Sequence, residues 1–201
     1  MVKLIILDNI LAAGKTTLIN KLLKRNKMWF DINEGVPLTG GSIIDMNNID
    51  DRKYSEQFIQ TKIALQYEDI FSKATMNDII LVDRIFSSPK YWAKIHNIDF
   101  TDYSKFLIMK IRNLLKDAEI HYIYLNDPSS NQELLLNNIK LRGRTFEQSY
   151  TVDDLITMNE IYSHCIEDLQ GLNYTYHVIE LGLDFYKNGC EMIEKVISNN
   201  K

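Results

Sequence analysis

Asp8-Asn9-Ile10-Leu11-Ala12-Ala13-Gly14-Lys15-Thr16-Thr17 follows a short apolar run, Leu4 to Leu7, and leads into a segment of helical period. The stretch carries the phosphate-binding pattern G-x-x-x-x-G-K-[ST] in full except at its first position, where Asn9 replaces glycine. Such a loop wraps backbone N–H groups around a β-phosphate and needs a residue near positive φ. Asn tolerates that conformation best after Gly. Small Ala12 and Ala13 allow close approach of the backbone, and Gly14 leaves room beside the phosphate. Lys15 supplies a cation for the β- and γ-phosphates, and Thr16 offers a hydroxyl to Mg²⁺. Thr17 continues into a helix whose N-terminus adds its own positive end. Nucleotide binding is the expectation. A coincidental Gly-Lys-Thr in a strand–turn–helix is the bland alternative.

Further apolar runs, Met28 to Ile32, Ile79 to Val82, Ile120 to Leu125 and His177 to Leu181, alternate with helix-forming segments. The helical candidates are Thr16 to Arg25, Ser55 to Ala74, Tyr103 to Leu115, Gln132 to Leu141, Val152 to Leu169 and Asp184 to Ile197. Runs apolar on both faces suit strands buried between helices. The pattern therefore predicts a three-layer α/β domain with a five-stranded parallel sheet and right-handed crossovers. Ligands gather at the carboxyl ends of such strands.

Two further carboxylates fall there. Glu34 follows the second strand, and Asp83-Arg84 closes the third. A phosphoryl transferase with a hydroxyl acceptor uses a carboxylate to take the proton and an arginine to hold the transferring phosphate. Arg142-Gly143-Arg144, with Glu147 just beyond, suits a lid over phosphates spanning about 138–150.

Composition is that of one ordinary globular domain over residues 1–201: 45% hydrophobic and 25% charged residues, with a net charge of -4. The acidic balance argues against a partner bound through bulk charge, so no nucleic acid is expected. No apolar stretch approaches a membrane span. Cys165 and Cys190 lack any disulfide or zinc spacing, and a cytoplasmic, reducing setting is the default expectation.

The Asn9–Thr17 loop, Glu34 with Pro37, Asp83-Arg84, Tyr124-Leu125 and Arg142-Gly143-Arg144 with Glu147 together resemble the deoxyribonucleoside kinases over most of the chain. The resemblance implies a P-loop kinase fold with a small lid, acting in nucleotide salvage with ATP and Mg²⁺ on a deoxynucleoside. It makes Glu34 the general base for the 5′-hydroxyl and Arg84 the residue that orients base and phosphate. It gives Asp83 to the metal, Arg142 and Arg144 to the ATP phosphates, and Glu147 to the sugar 3′-hydroxyl. It also sets Gln60 against the nucleobase, where an amide offers one donor and one acceptor, and Tyr67 as a wall of the base pocket. A surface helix residue is the plain alternative for Gln60. A two-fold dimer is implied too, and the apolar faces of Phe58–Phe71 and Tyr103–Leu115 are candidates for its interface.

The chain departs from the family pattern in several places. Gly35-Val36 precede Pro37, Thr39 stands for an aromatic, Pro89 or Ser88 for an acid, Asn138 for an arginine and Phe146 for a glutamate. Tyr54 is a substitute candidate for the tyrosine that meets the 3′-hydroxyl. Two rival readings remain. A thymidylate-type monophosphate kinase keeps the fold but usually has an Asp at Leu11 and an Arg at Asn33, since an acceptor phosphate needs a cation. A non-catalytic nucleotide-binding protein would bind ATP without transfer.

Overall fold

A computed structural model of the chain describes residues 1–9, 14–26, 29–32, 49–126, 132–141, 143, 147–181 and 183–198, with backbone only for 49, 51, 52 and 183–187. Five strands, β1 (Lys3–Asp8), β2 (Phe30–Ile32), β3 (Ile79–Asp83), β4 (Glu119–Asn126) and β5 (Tyr174–Glu180), form one sheet in the order β2-β3-β1-β4-β5. Every pairing is parallel. The α/β class and the five-stranded parallel sheet read from the sequence are therefore observed.

Side-chain alternation along the central strand explains the layering. Leu4 and Ile6 enter one core with Ile80, Val82, Ile120 and Tyr122, and Ile5 and Leu7 enter the other with Leu81, Ile123 and Leu125. Four successive β1 side chains, Leu4 to Leu7, are completely buried, so the strand has no solvent face. The first core is closed by α2 (Ile49–Lys73), α3 (Ser88–Ile95), α4 (Asp102–Leu114), α5 (Gln132–Leu141) and α6 (Val152–Ser163). The second is closed by α1 (Lys15–Arg25) and α7 (Leu183–Ser198). Among the described residues no helix is long and apolar enough to cross a membrane, and both cysteines are free and buried.

Three differences from the sequence expectation stand out. Helix α3 fills Ser88 to Ile95, where Pro89 reads locally as loop. Proline sits in the first turn, where its missing N–H is not needed. β5 begins at Tyr174, earlier than its apolar run, because this edge strand is mostly wet: Thr175, Tyr176, Val178 and Glu180 are exposed and only Ile179 is buried. The fifth helical segment expected, Val152 to Leu169, divides: α6 ends at Ser163 and a 3₁₀ stretch, His164–Leu169, completes it.

Candidate functional site

β1 ends at Asp8, and α1 begins one loop later behind Gly14, whose backbone is left-handed at φ 77°. The positive φ expected at Asn9 is found at Gly14 instead. Asn9 is not among the positive-φ residues. Asn9 acts as a brace: its side-chain amide donates to the carbonyl of Leu125 in β4, and its N–H donates to Asp8 at 2.9 Å. Helix α1 has no acidic residue in its first turn and carries Lys24 and Arg25 in its last, so its positive end is left for an external anion. Lys15 is buried at the start of this helix, with Nζ 3.0 Å from the carbonyl oxygen of Asn9. Thr17 is exposed one position beyond Thr16.

Thr16 reaches from α1 to the end of β3, where its hydroxyl donates to Asp83 Oδ2. The other carboxylate oxygen, Oδ1, is buried and has no hydrogen-bond partner among the described residues. A hydroxyl and a carboxylate are the hard oxygen donors a divalent cation takes. No group of three or more His, Cys, Asp or Glu among the described residues suits a metal. That is a poor cage for Ca²⁺ but fits Mg²⁺, which keeps waters and substrate phosphates in its shell.

Because strand side chains alternate, Asp8 and Asp83 leave the same edge of the sheet toward opposite layers. Leu7, not Asp8, is in register with Asp83. Asp8 is fully buried and accepts hydrogen bonds from Tyr122 at 3.0 Å, Tyr162 at 2.9 Å, and the N–H of Ile85 at 3.2 Å. Cys165 Sγ lies 3.7 Å from the same carboxylate. Burial pushes its pKa above the ordinary Asp value, while the charges of Lys15 and Arg84 and the two tyrosine hydroxyls pull it back.

Arg84 follows with a left-handed backbone, φ 76°, and its N–H donates to the carbonyl of Leu7 at 3.0 Å. The side chain is buried with its guanidinium carbon 5.0 Å from the Trp92 ring centre and 5.7 Å from that of Tyr162. Two residues on, the carbonyl of Phe86 accepts from Gln60 Nε2 at 3.2 Å. Gln60 is 0% exposed, which overturns the surface reading of this residue. Gln60, Ile63, Ala64 and Tyr67 form the inward stripe of α2. Gln60 Oε1, the Tyr67 hydroxyl and the Ser87 hydroxyl are buried without hydrogen-bond partners among the described residues. Burial, followed by the nearby negative charge of Asp8, drives the Tyr67 hydroxyl far above its ordinary pKa, so it stays protonated.

Glu147 is 1% exposed at the turn after α5. Gln148 ties this turn back to the end of α5 by donating to the carbonyl of Lys140 at 3.0 Å. Burial first and Glu147 second raise the neighbouring Tyr150 to about 12. Tyr54 is not brought into the site: it is 68% exposed on the outer face of α2. Ala12, Ala13, Glu34, Arg142 and Arg144 lie outside the described residues. Sequence reasoning passed over Asp8, Trp92 and Tyr162. The one signal available was an acid as the last residue of an otherwise apolar strand.

Solved structures share this fold over nearly the whole chain. Deoxyadenosine kinase from M. mycoides, solved with bound dATP, matches at a TM-score of 0.58 and 18% identity, covering 98% of each chain. The same enzyme, solved with dCMP and a flexible dCDP, matches at 0.58 and 18%, covering 99% of this chain and 100% of the other. YorR from Bacillus subtilis, in complex with phosphorylated GDP, matches at 0.53 and 17%, covering 98% and 96%. No curated protein sequence matches. The model of the family described as deoxynucleoside kinase matches residues 5–200, nearly the full length, and the chain belongs to that family.

Proposed function

We propose that this chain transfers the γ-phosphate of ATP to the 5′-hydroxyl of a deoxyribonucleoside. The observation that carries the reading is the convergence at one sheet edge of Lys15, the Thr16–Asp83 pair and Arg84, with fully buried Gln60 bonded two residues further on at Phe86. In this scheme Asn9, Ala12, Ala13, Gly14, Lys15, Thr16 and Thr17 form the phosphate loop, and Arg142 and Arg144 close over the triphosphate. Glu34 accepts the proton as the 5′-oxygen bonds to the γ-phosphorus and the bond to the β-phosphate oxygen breaks, releasing ADP. Arg84 lines up that oxygen and the moving phosphoryl group. Gln60 offers Oε1 to a donor on the nucleobase, Tyr67 walls the base, and Glu147 takes the 3′-hydroxyl. Mg²⁺, held by Thr16 and Asp83, supplies neutralisation of charge on the β- and γ-phosphates.

A neutral nucleoside is favoured over a monophosphate because Leu11 and Asn33 stand where an acid and a cation would serve an acceptor phosphate. The two deoxyadenosine kinase structures fit the same class of acceptor. We further propose that the chain acts as a two-fold dimer. Tyr54, Phe58 and Leu65 on α2 and Tyr103, Phe106 and Met109 on α4 leave large apolar side chains exposed on neighbouring helices, which Glu68 and Lys110 pair across.

The test is incubation with ATP and Mg²⁺ and each of the four deoxynucleosides and their monophosphates, followed by chromatography of products. Formation of deoxynucleoside monophosphate is expected. Turnover of monophosphates alone would transfer the reading to the thymidylate-type enzymes. Tight ATP binding with no product from any acceptor would leave a non-catalytic nucleotide-binding protein.

A further inference from the structure

Arg84 is held in a setting that differs from an ordinary loop arginine. Its backbone occupies the left-handed region, which non-glycine residues rarely adopt. Two backbone donors fix that conformation against β1: the Arg84 N–H donates to the carbonyl of Leu7 and the Ile85 N–H to the Asp8 carboxylate. The guanidinium then lies over Trp92 from α3 and Tyr162 from the last turn of α6. The two rings are themselves 6.0 Å apart and inclined at 47°, so they form two sides of one cradle. Tyr162 cannot turn away without losing the 2.9 Å bond from its hydroxyl to Asp8, and Tyr91 packs edge-on against its ring at 6.1 Å.

We infer that Trp92 and Tyr162, the latter locked by Asp8, are positioning residues that aim Arg84 at the transferring phosphoryl group. Chemistry favours this use of aromatic rings. A ring attracts the cation through its face and consumes none of the five guanidinium N–H donors, which lie in the plane of the group. A carboxylate in place of the rings would compete with phosphate for those same donors. The charges of Arg84 and Asp8 attract each other, and Tyr162 touches both, its ring facing the guanidinium and its hydroxyl bonded to Asp8. The rings restrain the guanidinium without themselves taking up its N–H donors, which suits preorganised stabilisation of a transition state.

The inference rests on the phosphoryl-transfer role of Arg84, and a double-mutant cycle separates the two. The full chain is prepared as Trp92→Leu, Trp92→Phe, Tyr162→Phe, Arg84→Lys and the pair Arg84→Lys with Trp92→Leu, and kcat, KM and melting temperature are measured with ATP, Mg²⁺ and the best nucleoside. Trp92→Leu is expected to lower kcat about three- to thirty-fold with KM for the nucleoside nearly unchanged, and Trp92→Phe to restore most of the loss. In the Arg84→Lys background, Trp92→Leu is expected to change kcat less than about twofold while lowering the melting temperature as before. An equal kcat loss in both backgrounds overturns the inference, because the ring would then act independently of Arg84. Full kcat in Trp92→Leu and Tyr162→Phe alongside a crippled Arg84→Lys also overturns it and leaves the role of Arg84 standing. Full kcat in Arg84→Lys removes that role and the inference together. Should Trp92→Leu fail to fold, Tyr162→Phe, alone and paired with Arg84→Lys, decides in its place, since it keeps the ring and removes only the bond to Asp8.

Discussion

Asp83 carries two oxygens with different duties: Oδ2 accepts from the Thr16 hydroxyl, and Oδ1 is buried without a hydrogen-bond partner among the described residues. An uncompensated buried carboxylate oxygen is costly, and a cation is the simplest partner. Asp83→Asn keeps the shape and removes the charge. It is expected to raise the Mg²⁺ concentration for half-maximal activity by about 10- to 100-fold, read from a Mg²⁺ titration at saturating ATP. An unchanged titration would place the metal elsewhere. At this scale Lys15, Thr16 and Asp83-Arg84 could be singled out because each sits in a local pattern at the end of a strand, and Gln60 only through the family resemblance. Asp8, Trp92 and Tyr162 could not. The partners of Asp8 lie 114 and 154 positions away in the chain, so no window of sequence holds the cluster. Arg84 was visible as a chemical type, but the rings beneath it belong to two other helices.

Among the elements, α6 delivers Tyr162 to the site from its last turn, and its first turn is fastened by a reciprocal cap. Thr151 accepts from the N–H of Asp154 while Asp154 accepts from the N–H of Thr151 at 2.8 Å. Thr151→Ala removes the acceptor of the Asp154 N–H, while the residue 151 N–H keeps its bond to Asp154, and is expected to destabilise the protein by about 1 kcal/mol, measured as a shift in urea midpoint at constant slope. A loss below about 0.3 kcal/mol would mean the helix is held by packing alone. The central strands and α1, α4 and α5 were readable within a few residues because their apolar spacing is strong. Helix α3 was missed since eight residues hold too few turns to show a period, and Pro89 reads as punctuation. The early start of β5 was missed because exposed Thr175 and Tyr176 deprive this edge strand of a continuous apolar run at its beginning.

For the molecule as a whole, the exposed apolar residues of α2 and α4 make a specific demand. Phe106 is 55% and Met109 63% exposed, more than an unpartnered helix face usually leaves bare. Phe106→Glu is expected to convert a dimer to monomer in sedimentation velocity at micromolar protein; a wild-type chain that sediments as a monomer would refute the dimer. A second molecule-wide property comes from the far end of the sheet, where His177 stacks on His121 with ring centres 5.5 Å apart. Burial, and then the charge of His121, lower the pKa of His177 from the usual 6.5. A His whose folded pKa is depressed contributes stability that is full above its unfolded value and is lost as pH falls through the folded one. Unfolding free energy is therefore expected to decline as pH drops below about 6.5, by less in His177→Asn than in the unchanged protein, when urea titrations at about pH 7.5 and about pH 5.5 are compared.

The placement of β1 also governs how the chain acquires its shape. β1 is the middle strand, yet its two neighbours, β3 and β4, lie far downstream at Ile79–Asp83 and Glu119–Asn126. During synthesis its apolar stretch, Leu4 to Leu7, emerges with neither ladder available, and it must wait until β4 has been made before both edges are paired. A nascent chain of this design spends that interval with a sticky, hydrogen-bond-hungry ribbon on display. That makes the earliest-made strand the natural grip for a chaperone and the first place where crowding on the ribosome would drive aggregation.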